Sequence, residues 1–175
     1  MSCKSEPLRD GATLIGPLSD VHYLDVRSLD LPCAFTPLEI WDRMMASGLP
    51  GLKLAFRLRD RLAGLAGIRP IGGLTTKRTA TPKPGDMLDF FTIERIDDEE
   101  MVLIVRDRHL DVLISVLTAN RRLTITASVH NHNWLGRLYM IPVAPAHRVI
   151  VTLMNRRLAR QLAVEAAIWR RFPPR

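Results

Sequence analysis

Three groups of residues carry the side chains that could do chemistry. The first is Asp107, Arg108, His109 and Asp111, a dense polar stretch. A carboxylate beside a histidine can hold the imidazole ready to take a proton, which makes a general base. The same residues between two strands also make an ordinary solvated hairpin tip whose charges pair with one another. The second group is His130-Asn131-His132. Residues two apart on a strand share a face, so both imidazoles point the same way. Zinc needs a third or fourth nitrogen, sulfur or carboxylate ligand. Asn131 and Asn133 are poor ligands, and His109 or His147 would have to arrive through tertiary folding, so no metal is assigned. The third group is Gly136, Arg137, Tyr139, His147 and Arg148. Arg137, Tyr139 and His147 suit the polar head of a ligand in a cavity. In the other reading Gly136 lets a turn close while Arg and Tyr fasten a helix to a sheet edge.

Trp41, Met44, Met45, Phe90, Phe91 and Met154 suit the apolar wall of a pocket. At helical or strand spacing the same residues also read as plain core. No Walker loop, G-x-S-x-G elbow, H-E-x-x-H or G-x-G-x-x-G occurs, so no cofactor is implied. Ser115 and Ser128 fall in strand-like segments without a nucleophile motif.

Elements must position these groups. His22 to Arg27 alternates as a first strand. Thr36-Pro37-Leu38-Glu39 fits a capping box, with Phe35 and Ile40 at the staple positions, so a helix starts at residue 37. Ile40, Trp41, Met44 and Met45 form its apolar face, and Gly48 and Pro50 end it. A second helix is expected over 50–66. Residues 69–86 read as a loop with one short strand at 72–76. The period then becomes two, with strands over 88–96, 101–107, 110–118 and 122–131. Their short breaks, at Asp97-Asp98-Glu99-Glu100, Arg108-His109 and Ala119-Asn120-Arg121, force an antiparallel meander. In the last strand Leu123, Ile125, Ala127 and Val129 share a dry face, and Arg122, Thr124, Thr126, Ser128 and His130 a wet or polar one. Residues 134–143 read as a helical turn kinked off by Pro142 and Pro145. A long helix follows over 145–169, with Ile150, Val151, Met154, Leu158 and Leu162 inward and Arg148, Thr152, Arg156 and Arg160 on the polar stripe.

A chain of 175 residues fits one domain, here a lead-in over 1–20 and a domain over 21–170. Apolar residues at 47% and charged residues at 25% exclude a disordered or repetitive chain. No run of roughly 18 apolar residues is present, and MSCKSEPLRDG lacks the apolar core of a secretory signal. Cys3 and Cys33 are too few for a disulfide scaffold, so a reducing cytoplasmic setting is expected. Residues 137–175 carry eight arginines against Glu165 alone, which accounts for the whole net charge of +7. Such a basic end either meets an anionic surface or is a solvated helix face. With only 6% aromatic residues, stacking platforms are thin and nucleic acid is not favoured.

The element order suits an α+β helix-grip fold, a curved antiparallel sheet wrapped around a long C-terminal helix. The stretch Arg106-Asp107-Arg108-His109-Leu110-Asp111, then His132-Asn133-Trp134-Leu135-Gly136-Arg137-Leu138-Tyr139 and Pro145-Ala146-His147-Arg148-Val149-Ile150-Val151, resembles a bacterial family of uncharacterised domains. Members occur alone or fused behind NAD-binding, short-chain-dehydrogenase-like domains, and are similar in plan to the START-like, polyketide-cyclase-like superfamily. The resemblance implies this fold and binding of a small apolar molecule. The element order puts the cavity for a hydrophobic or amphipathic small molecule between sheet and helix, with Arg137, Tyr139, His147, Trp41 and Met154 as candidate contacts. A homodimer is allowed as a partner arrangement. The alternative is a cyclase- or dehydratase-like enzyme using His109 or His147 as acid or base. Whether a reaction is catalysed is left open.

Overall fold

A computed structural model describes residues 11–46 and 82–171. Its elements are β1 (Tyr23–Asp30), α1 (Pro37–Ala46), β2 (Met87–Leu88), β3 (Phe91–Ile96), β4 (Glu100–Arg106), β5 (Leu110–Ala119), β6 (Arg122–Asn131) and α2 (Trp134–Arg171). The expected helix over 50–66 and strand at 72–76 lie outside the described residues.

The strands form one antiparallel sheet in the order β1-β6-β5-β4-β3-β2. The sheet is curved and unclosed, and with the long helix after it makes the expected α+β helix-grip arrangement. The first strand pairs with the last, Tyr23 opposite Val129 and Asp30 opposite Arg122. Local chemistry sets the turns. Asn120 and Arg121 both have positive φ, 52° and 56°, between the paired residues Ala119 and Arg122. A two-residue hairpin loop of this kind matches the right-handed twist of its strands. The single strand expected over 88–96 is two strands, because Asp89 takes φ 57° and reverses the chain. A short polar side chain tolerates that left-handed conformation.

Helix α1 starts where its capping box places it. The Thr36 N–H donates to Glu39 Oε2 at 2.8 Å, and the Glu39 N–H donates to Thr36 Oγ1 at 3.3 Å. Its apolar face enters the main core on the concave side of the sheet. There Ile40, Trp41 and Met44 meet Phe91, Leu103, Val116 and Leu123 of the sheet and Met154, Leu158 and Leu162 of α2.

Two expectations need correction. The turn at 134–143 is not kinked off: α2 runs unbroken for 38 residues, through Pro142 and Pro145. Each proline removes one N–H, and so frees the carbonyl four residues earlier. Those carbonyls belong to Leu138 and Ile141, both exposed, so water can satisfy them. The second face of β6 is polar, as expected, but its middle is dry rather than wet. Thr124, Thr126 and Ser128 are buried, because residues 11–20 cross the convex side of the sheet. Ile15 packs on Val102, Ile104 and Leu113, and its N–H donates to Ser128 Oγ at 3.0 Å.

Candidate functional site

The concave face of β1 carries Tyr23, Asp25 and Arg27, two apart and so on one side. In the ladder they stand opposite Val129, Ala127 and Ile125, on the side that α2 covers. Polar residues thus interrupt an otherwise apolar face. They separate the main core from a second cluster, in which Tyr23, Leu110, Val129, Tyr139 and Met140 pack together.

His147 of α2 reaches this break. Its Nδ1 lies 3.2 Å from the Tyr23 hydroxyl and 3.8 Å from Asp25 Oδ2. The Tyr23 hydroxyl also lies 3.5 Å from the Ala144 carbonyl. Arg27 Nε donates to Asp25 Oδ1 at 3.0 Å. Asp25 is only 4% exposed, and its Oδ2 is buried with no hydrogen-bond partner among the described residues. The Arg148 guanidinium sits 5.4 Å from the centre of the Tyr23 ring, the geometry of a cation–π contact. Among the described residues His147 Nε2 has no partner, and the side chain is 29% exposed.

Two proton arrangements fit these distances. When Tyr23 donates to the Ala144 carbonyl, its oxygen accepts from Nδ1–H, and Nε2 is left as a free acceptor. When Tyr23 donates to Nδ1, Nε2 carries the proton. Burial lowers the His147 pKa below its ordinary value, and the positive charges of Arg27 and Arg148 add to this against the opposing pull of Asp25. Burial and the Asp25 charge push the Tyr23 pKa up. At neutral pH the site therefore holds a neutral imidazole and a protonated phenol beside a buried carboxylate.

Burial of His147 makes the stability of the protein depend on pH. The folded protein holds this proton less tightly than the unfolded chain. Stability from this group is thus fully present above the unfolded pKa, about 6.5, and is lost as pH falls below it. His147→Gln removes that dependence, so urea melts below about pH 6.5 lose less stability with acidification than the parent's. An unchanged pH slope would contradict the burial of this imidazole.

The residues singled out from sequence fall in several places. Tyr139 is buried in the second apolar cluster and His147 lies at its edge, whereas Trp41 and Met154 are in the main core. Trp41 Nε1 donates to Asp89 Oδ2 at 2.9 Å. Arg137 is exposed on the first turns of α2. Asp107, His109 and Asp111 are bound up in the β4–β5 turn. Asp107 Oδ1 accepts the His109 N–H at 3.2 Å, and Asp111 Oδ1 accepts the Asp107 N–H at 3.2 Å. His109 is 5% exposed, its Nδ1 beside the Asn133 amide. Arg108 is exposed. His132 Nε2 lies 3.1 Å from Asp111 Oδ1. The third imidazole beside His130 and His132 is His22, with successive ring centres 5.2 Å apart. Among the described residues no three such side chains are placed to hold a metal ion.

Tyr23, Asp25 and Arg27 were not singled out from sequence. The signal was there, a polar residue at every second position of a strand. Alternation alone does not mark the polar side as the covered one, because the apolar residues Leu24 and Val26 stand on the other side of the strand. A cleft of about 360 Å³, lined by Phe35, Thr36, Glu39, Glu99, Asn120 and Arg121, opens at the far end of the sheet from His147.

No curated protein matches the chain. A family profile does, over residues 17–154, a span that includes β1, the whole meander and the first half of α2 with His147. The chain belongs to this family, described as protein of unknown function DUF2867.

Proposed function

We propose that the chain is a binding module for a small, largely apolar molecule that carries a hydrogen-bond donor, seated where β1 meets α2 in a single domain over 21–170. The observation that carries this reading is the buried, unbonded Oδ2 of Asp25. A buried carboxylate oxygen without a donor costs about 1–3 kcal/mol, and native proteins keep such groups where a ligand or water completes them. A hydroxyl or ammonium group on the ligand supplies the missing donor, and His147 Nε2 lies beside it as a second polar contact. Ala127, opposite Asp25, is the shortest side chain on this face of β6, so a ligand body seated here meets the least bulk at that position. Tyr23 and Tyr139 make the apolar wall. Similarity in plan to START-like proteins supports the same placement.

Native mass spectrometry of freshly purified protein tests this. A co-purified mass is expected on the parent and is lost from Asp25→Leu, which removes the acceptor. A bare chain mass, together with Asp25→Leu more stable than the parent and no small molecule raising the melting temperature, would sink the reading.

A second reading is supported by the same histidine. Neutral His147, with Asp25 near Nδ1 and Nε2 open, suits a general base in a cyclase- or dehydratase-like reaction. His109, buried against Asn133, has no carboxylate on its ring among the described residues. The fate of the bound molecule on the parent separates the two readings: a binding module releases it unchanged, and an enzyme converts it, a conversion that His147→Gln abolishes.

A further inference from the structure

Helix α2 has two apolar faces. One lies on the sheet. The other is Trp134, Leu138, Ile141, Pro145, Val149 and Leu153, three or four apart and so a single stripe. All six are exposed, Trp134 and Ile141 each by 69%. The stripe spans about 28 Å at 1.5 Å per residue. Arg137 and Arg148 flank it, and Arg156 and Arg160 continue it; all four are exposed. The only carboxylate on the helix is Glu165, which lies 3.8 Å from Arg43. Among the described residues Arg137, Arg156 and Arg160 have no ion-pair partner. A second copy of this chain would set arginines against arginines, and like charges repel. Duplex nucleic acid would leave Trp134, Leu138 and Ile141 without apolar contact.

We propose that the outward face of α2 lies on an anionic lipid surface. The apolar stripe sinks into the boundary between headgroups and acyl chains, and the arginines meet the headgroup charge. Among the described residues no helix is long and apolar enough to cross a membrane, so the helix lies in the plane of the surface. An aromatic residue at one end of the stripe suits that interface.

Vesicle co-sedimentation with the full chain tests this. Binding is expected to phosphatidylcholine vesicles with about 30% phosphatidylserine and not to phosphatidylcholine alone. It weakens from about 0.1 M to about 1 M salt, where screening shortens to about 3 Å. Arg156→Glu with Arg160→Glu, and separately Leu138→Ser with Ile141→Ser, each weaken binding by about tenfold or more. All four positions are exposed, and unchanged thermal melts confirm that the variants fold. No binding to anionic vesicles at low salt overturns the proposal, as does equal binding to neutral ones. So does a dimer in light scattering that Leu138→Ser with Ile141→Ser makes monomeric, because the stripe then belongs to a second copy. Duplex DNA binding that the apolar substitutions leave unchanged, without vesicle binding, overturns it too.

Discussion

Replacing Gly136 with alanine lowers the stability of the protein by about 3 kcal/mol, the upper range for forcing an extra carbon into a closed contact. Elsewhere in a helix the same change stabilises by about 0.5–1 kcal/mol, because glycine loses the most backbone freedom on folding. Gly136 is different because the first turn of α2 rests on the β4–β5 turn. An added Cβ would overlap the His109 carbonyl oxygen and lie 3.1 Å from the His109 carbonyl carbon. That carbonyl cannot swing away, since it accepts the His132 N–H at 2.9 Å. The Asn131 side-chain oxygen, 3.3 Å from the same point, closes the other side. Urea denaturation measures the effect. A Gly136→Ala protein as stable as the parent would mean that α2 does not approach the sheet this closely.

Replacing Glu100 with alanine is expected to cost about 3–5 kcal/mol, because three donors lose their acceptor at about 1–3 kcal/mol for each group left unsatisfied. The Glu100 carboxylate is 3% exposed at the start of β4. Oε1 accepts from the Thr13 N–H at 2.9 Å and from the Ser115 hydroxyl at 2.5 Å. Oε2 accepts from the Thr13 hydroxyl at 3.1 Å and pairs with Arg95. Arg95 is half exposed and can return to water, but the three Thr13 and Ser115 donors are left without an acceptor in a closed site. Residues 11–17 should then detach from the convex face. Denaturant unfolding gives the loss of stability, and limited proteolysis shows early cleavage within 11–20. Glu100→Gln keeps the shape and one oxygen acceptor, so its loss is smaller. Cleavage and stability that match the parent's would mean that this carboxylate does not hold the segment.

Glu100 also shows where the reading from sequence stopped. Asp97-Asp98-Glu99-Glu100 looks like one polar break between strands, and the first three residues are that. The fourth belongs to the strand, on the same side as Val102 and Ile104. Nothing in the neighbouring residues marks it as buried, because its donors come from Thr13, which is 87 positions away, and from the next strand. The alternation in β6 was legible for the same reason that its environment was not. Period two says which residues share a side, and composition says that one side is polar. Only the segment folded over that side makes it dry.

The candidate site divides in the same way. His147 was legible as a candidate because it stands one turn from the apolar stripe of a long helix. Its partners were not, because Tyr23 and Asp25 lie more than 120 residues earlier. The helix start at Pro37, the meander and the inward face of α2 follow from contacts within a few residues: a capping box, short turns, and periods of two and 3.6. Local sequence therefore determined the elements and which side of each is apolar. Tertiary structure alone decided that β1 pairs with β6 and that Asp25 faces His147. It also decided that the N-terminal segment seals the convex side, and that α2 continues through two prolines. Each of these depends on groups far apart in the chain meeting in space, and no local pattern encodes which of them meet.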